Sequence, residues 1–151
     1  MALWDQVKGR TQSLTEQLQT KKDQFKNKDF AEASMAICAL IAAADGSIDA
    51  AERQRTAGLI ASNELLSVFP PQDLREKFDA YCDKLTRDFD FGKVDAITAI
   101  GKLRSKPEQA RAVISIGLII GGADGNLDAD ERRAVTEACN AVGIAPAEFS
   151  L

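Results

Sequence analysis

One ten-residue acidic loop occurs twice in this chain, and any fold it adopts must place both copies. Ala44-Asp45-Gly46-Ser47-Ile48-Asp49-Ala50-Ala51-Glu52-Arg53 returns as Ala123-Asp124-Gly125-Asn126-Leu127-Asp128-Ala129-Asp130-Glu131-Arg132, 79 residues later and identical at seven of ten positions. Each copy follows a strongly apolar segment. A duplicated unit in a chain of 151 residues predicts two equivalent halves around one core rather than two separate domains.

Helical spacing runs through nearly the whole sequence, and no alternating pattern long enough for a strand interrupts it. Asp29 is placed to cap a helix from Phe30 to Ala44 that is apolar on nearly every face, with Met35, Ile37, Leu40 and Ile41 among alanines, the mark of an interior helix. Its counterpart runs from Pro107, a tolerated first-turn proline, to Gly122 through Val113, Ile114, Ile116, Leu118, Ile119 and Ile120. A second helix follows each loop, Asp49 to Ser62 and Asp128 to Val142, the latter closed by Gly143. Between the copies, Pro70-Pro71 opens a helical segment carrying Leu74, Phe78, Tyr81, Leu85 and Phe89, continued from Phe91 to Arg104 by Val94, Ile97, Ile100 and Leu103. Tyr81, Phe89 and Phe91 are expected in the core rather than stacked on a ligand. The predicted fold is all-α: a single helical domain over residues 29–151, built on two pseudo-symmetric helix–acidic loop–helix repeats at about 29–62 and 107–142.

Residues 1–28 read as a basic amphipathic arm, with Leu3, Trp4, Val7, Leu14, Leu18 and Phe25 at helical spacing and Gly9 as a weak point. The arm carries six basic residues against three acidic ones, whereas the remainder carries 13 against 20. An acidic body argues against nucleic acid as a partner, while the arm has the composition of a helix that lies on anionic lipid, docks on the body or stays flexible.

Several chemistries are excluded. The chain has no histidine, which removes Ser-His and Cys-His catalysis and the common histidine-containing zinc sites. Cys38, Cys82 and Cys139 are odd in number and far apart, on apolar helical faces, so they read as core residues of a reducing compartment. No uncharged run is longer than Ala112 to Ala123, which is too short to span a bilayer, and Gly121-Gly122-Ala123-Asp124-Gly125 lacks the lysine of a phosphate loop. The expected location is cytoplasmic, with the arm as the segment that would make any peripheral membrane contact.

The loops themselves match half of a calcium site. With Glu52 as the twelfth residue of an EF-hand loop, Asp45 falls at the fifth position, Gly46 at the sixth, Ile48 at the eighth and Asp49 at the ninth; Asp124, Gly125, Leu127, Asp128 and Glu131 align identically. The first and third positions would be Ile41 and Ala43, or Ile120 and Gly122, which bring no side-chain oxygen. A cation would therefore draw oxygens from backbone, water or the other repeat. A metal-free reading competes with this one. Asp49 with Glu52, and Asp128 with Glu131, have capping-box spacing, so the metal reading leans on Asp45 and Asp124, placed where a helix C-terminus disfavours negative charge.

The opening Leu3-Trp4-Asp5-Gln6-Val7-Lys8-Gly9, the two Ala-Asp-Gly loops with their distal glutamates, and the ending Gly143-Ile144-Ala145-Pro146-Ala147-Glu148-Phe149 together resemble the TerB family of bacterial tellurite-resistance proteins over essentially the whole chain. The resemblance implies an all-helical, internally two-fold fold; it establishes no enzymatic activity, and the chain is expected not to be an enzyme. It also implies a divalent-cation site at Asp45, Asp49, Glu52, Asp124, Asp128 and Glu131, taking calcium or magnesium rather than zinc. The implied partners are a TerC-like integral-membrane protein and TerD-like calcium-binding proteins. Two other function classes stay open: a structural interaction module whose acids only cap helices, and a metal-dependent hydrolase.

Overall fold

The computed structural model describes residues 25–122 and 126–151. The described residues form six α-helices: α1 (Lys28–Ala42), α2 (Ala50–Ser62), α3 (Pro71–Arg87), α4 (Phe89–Gly101), α5 (Pro107–Gly121) and α6 (Ala129–Val142). Short 3-10 turns follow α2 at Leu65–Val68 and α6 at Pro146–Phe149, and no strand occurs among the described residues. Most of the segment read as an amphipathic arm, together with Ala123, Asp124 and Gly125 of the second loop, lies outside them.

Burial follows the apolar pattern. Helix α1 buries 11 of its 15 residues and packs against all the other helices, while α5 buries nine of 15. The two cross closely. A Cβ added at Gly117 would meet the Ile37 side chain at 2.8 Å, so the absence of a side chain there lets the isoleucines of α1 approach. Around this pair, α3 and α4 pack on α1, and α6 bridges α4 and α5.

Helix α2 is held more loosely than α6. It buries Ala57 and Ile60, whereas α6 buries Ala134, Val135, Ala138, Cys139 and Val142. Polar ties supplement the thinner packing: the Arg53 guanidinium on α2 lies 2.9 Å from an Asp83 carboxylate oxygen on α3 and 3.7 Å from Asp79. Comparable ties run from Lys93 of α4 to Glu137 of α6 at 2.8 Å and from Arg111 of α5 to Glu148 of the last turn at 2.7 Å.

Three expectations need correction. The first helix is capped by Asn27, whose side chain accepts from the Phe30 amide at 2.9 Å; Asp29 falls in the first turn, where its charge complements the helix dipole. Phe25, read as part of the arm, is fully buried, its ring 5.1 Å from that of Phe30. Phe91 is 75% exposed and Val94 61% exposed, although helical spacing put both on an apolar face. The reason is Asp88. It ends α3 and caps α4 by accepting from the Phe91 amide, so the periodicity of α3 does not carry through and α4 turns a new face inward. Gly92 rather than Phe91 meets α3, where a Cβ would stand 2.7 Å from the Leu85 backbone.

Candidate functional site

Each acidic loop leaves the C-terminal end of a buried helix and enters a capped one. In the first loop the Gly46 amide donates to the Ala43 carbonyl at 2.9 Å, and Gly46 takes φ of +96°, a left-handed conformation that favours glycine. Asp45 then accepts from the Ser47 amide at 3.1 Å and from the Ser47 hydroxyl at 3.4 Å, through the same Oδ1. This is an Asx turn, and it gives the Asp45 carboxylate a local structural partner.

Both loops end in complete capping boxes. Asp49 Oδ1 accepts from the Glu52 amide at 2.7 Å while the Asp49 amide donates to Glu52 Oε1 at 3.4 Å. In the second loop the corresponding bonds join Asp128 and Glu131 at 2.8 and 2.9 Å. The Glu52 amide, helped by the nearby Arg55 charge, holds the Asp49 carboxyl below the usual aspartate range despite an opposing effect of desolvation. Each loop also sends an aliphatic residue inward: Leu127 is buried and Ile48 half-buried.

The two copies meet across a cleft of about 400 Å³ between α2 and the start of α6. Glu52, Arg55, Thr56 and Leu59 line one side and Asp128 and Glu131 the other, with Ala42, Ile120 and Gly121 at the base. The base residues belong to the C-terminal ends of α1 and α5, where the helix dipole favours positive charge. Three of the six acids named from the sequence thus share the cleft. Asp45 and Asp49 stand exposed outside its lining, and Asp124 lies outside the described residues. Arg55 and Thr56 join the cleft without having been singled out; their spacing of three and four from Glu52 on one helix face was the available signal.

The donor set is entirely oxygen, which suits a hard cation. Among the described residues, no three acidic, cysteine or histidine side chains converge closely enough to grip a stripped ion directly. An ion held there would have to keep most of its water shell, and the lining offers no thiolate or imidazole for a zinc site. The cysteines are elsewhere, buried in the core, where desolvation pushes Cys82 and Cys139 up to about 12 and Cys38 higher still.

The family model described as "Tellurite resistance protein TerB" matches residues 31–151. A "Tellurium resistance protein TerB" from Alcaligenes sp is 31% identical over 118 residues, spanning 78% of this chain and 97% of that protein. No solved structure matches.

Proposed function

The chain belongs to the TerB family of tellurite-resistance proteins, and from that premise we propose that it is a non-enzymatic adaptor whose helical surface is set by a divalent cation in the cleft between α2 and α6. The observation that carries this reading is the shared lining of that cleft, Glu52 from the first acidic loop and Asp128 with Glu131 from the second. Calcium or magnesium is the ion class that carboxylates and water select.

The fold supplies a reason why such an ion would matter. Helix α2 is the more thinly packed partner, so a charge bridging Glu52 to the α6 terminus would fix the least anchored helix against the core. Holding carboxylates of both loops would also relieve their mutual repulsion. The surface so fixed is the one we assign to recruitment of TerC-like and TerD-like partners, on the cytoplasmic side of the inner membrane. No described helix is long and apolar enough to cross a membrane.

A metal-free reading has its own support, because the capping boxes and the Asp45 turn already give five of the six acids, all but Asp124, a structural role. Calorimetric titration with magnesium and calcium separates the two. The adaptor reading requires saturable binding that Glu52→Gln with Glu131→Gln weakens strongly, since glutamine keeps the capping geometry and removes the charge. Absence of binding in the unaltered protein would leave capping as the whole role of the acids.

A further inference from the structure

Helix α4 carries an apolar face that its neighbours leave in water. Among the described residues, the large hydrophobic side chains left exposed are Phe91 and Val94, and Thr98, also exposed, continues their line at helical spacing. The opposite side of the helix is committed to the core through Gly92, Ala96, Ala99 and Ile100. Rotating α4 to hide Phe91 and Val94 would withdraw those four, so the exposed stripe is fixed in place and available for contact.

The charges around the stripe say what fits it. Along its edges the ionic groups are satisfied within the chain, Asp95 by Lys84 at 3.5 Å and Lys93 by Glu137 at 2.8 Å. At its ends they are not. Asp90 in the first turn of α4 and Lys102 at its C-cap are both exposed, and neither is in an ion pair among the described residues. A face that runs from a free acid through Phe91, Val94 and Thr98 to a free base is complementary to its own copy turned end for end. It also lies apart from the cleft, none of whose lining residues belongs to α4.

We propose that this face of α4 is a self-association surface, on which two copies of the chain pair antiparallel about a two-fold axis near Val94 and Thr98. The Asp90 end of each copy then meets the Lys102 end of the other, so the charge pairing is made twice. Phe91 of each copy lies toward Gly101 of the other, where no side chain stands in the way. A single helix face buries much less than the about 1,200 Å² of a stable interface, and each copy carries a net charge of −4, so the pairing is weak and reversible.

The test is sedimentation equilibrium of the full chain from micromolar to millimolar concentration, on the unaltered protein, Phe91→Ser, Asp90→Lys, Lys102→Asp and an equimolar mixture of the last two, with melting curves to verify folding. The unaltered chain should dimerise weakly, and Phe91→Ser should weaken the dimer at least about tenfold. Asp90→Lys and Lys102→Asp each set like charges together at both ends, and each should weaken it roughly three- to tenfold. Their mixture should associate about as tightly as the unaltered chain, because each variant then meets the opposite charge. A mixture no tighter than its components would overturn the antiparallel pairing. Association that survives Phe91→Ser would overturn the surface. A chain that stays monomeric at millimolar concentration would overturn self-association, and NMR shifts of residues 1–24 on Phe91→Ser would then give the face to the chain's own arm.

Discussion

Asp128 and Glu131 hold each other's backbone amides, the side chain of each accepting from the other's N–H at 2.8 and 2.9 Å. The pair closes the first turn of α6 and at the same time presents two carboxylates to the cleft. Cap and charge can be separated by substitution. Asp128→Ala should lower stability in urea denaturation by about 1 kcal/mol, whereas Asp128→Asn, an equally good cap, should change it little. In the first loop the reciprocal bond from the Asp49 amide to Glu52 is longer, 3.4 Å, so Glu52→Ala should cost less than Glu131→Ala.

The Asp49 carboxyl lies below its ordinary range because the Glu52 amide donates to it. A folded-state value below the unfolded one contributes stability at pH above the unfolded value, and that contribution is lost as pH falls through the folded one. Carboxyl carbon NMR should therefore place the Asp49 midpoint below that of an unstructured aspartate, and Asp49→Asn should flatten part of the acid limb of the stability profile. A midpoint at or above the unstructured value would contradict the capping geometry.

Two glycines should respond oppositely to alanine. At Gly92 a Cβ would meet the Leu85 and Lys84 backbones at 2.7–2.8 Å, so Gly92→Ala should destabilise by about 1–3 kcal/mol as α4 is pushed from α3. At Gly58, within α2, a Cβ would meet nothing within 4 Å, and Gly58→Ala should stabilise by about 0.5–1 kcal/mol. Thermal melts of the two variants decide both.

The three thiols should be silent in the native protein. Cys38, Cys82 and Cys139 are fully buried, and burial raises each thiol far from neutral pH. A disulfide-exchange reagent at neutral pH should therefore label all three only in denaturant, at a rate that follows opening of the core. Rapid labelling of the folded protein would contradict their placement.

The helical class and the interior character of α1 and α5 were legible because their apolar residues occupy every face, a pattern that few other arrangements can hide from water. The capping boxes were legible too, since they depend on residues only three apart. The inward face of α4 was not, because Asp88 resets the helix phase and Phe91 and Val94 emerge on the outside. The site was partly readable. Sequence spacing put the weight on Asp45 and Asp124, yet Asp45 is engaged with Ser47 outside the cleft, and Glu52, Asp128 and Glu131 are the acids that share it. That grouping depends on how α2 and α6 approach across the ends of α1 and α5, a long-range packing result that local spacing does not encode.

The proposed cation site is tested most directly by a residue-resolved NMR titration of the protein with magnesium and with calcium. Saturable shifts should concentrate on the amides of Ala42, Glu52, Thr56, Gly121 and Glu131, residues that line the cleft from both loops, and should vanish in Glu52→Gln with Glu131→Gln. Spectra unchanged through millimolar metal, or shifts that survive in the double variant, would contradict it.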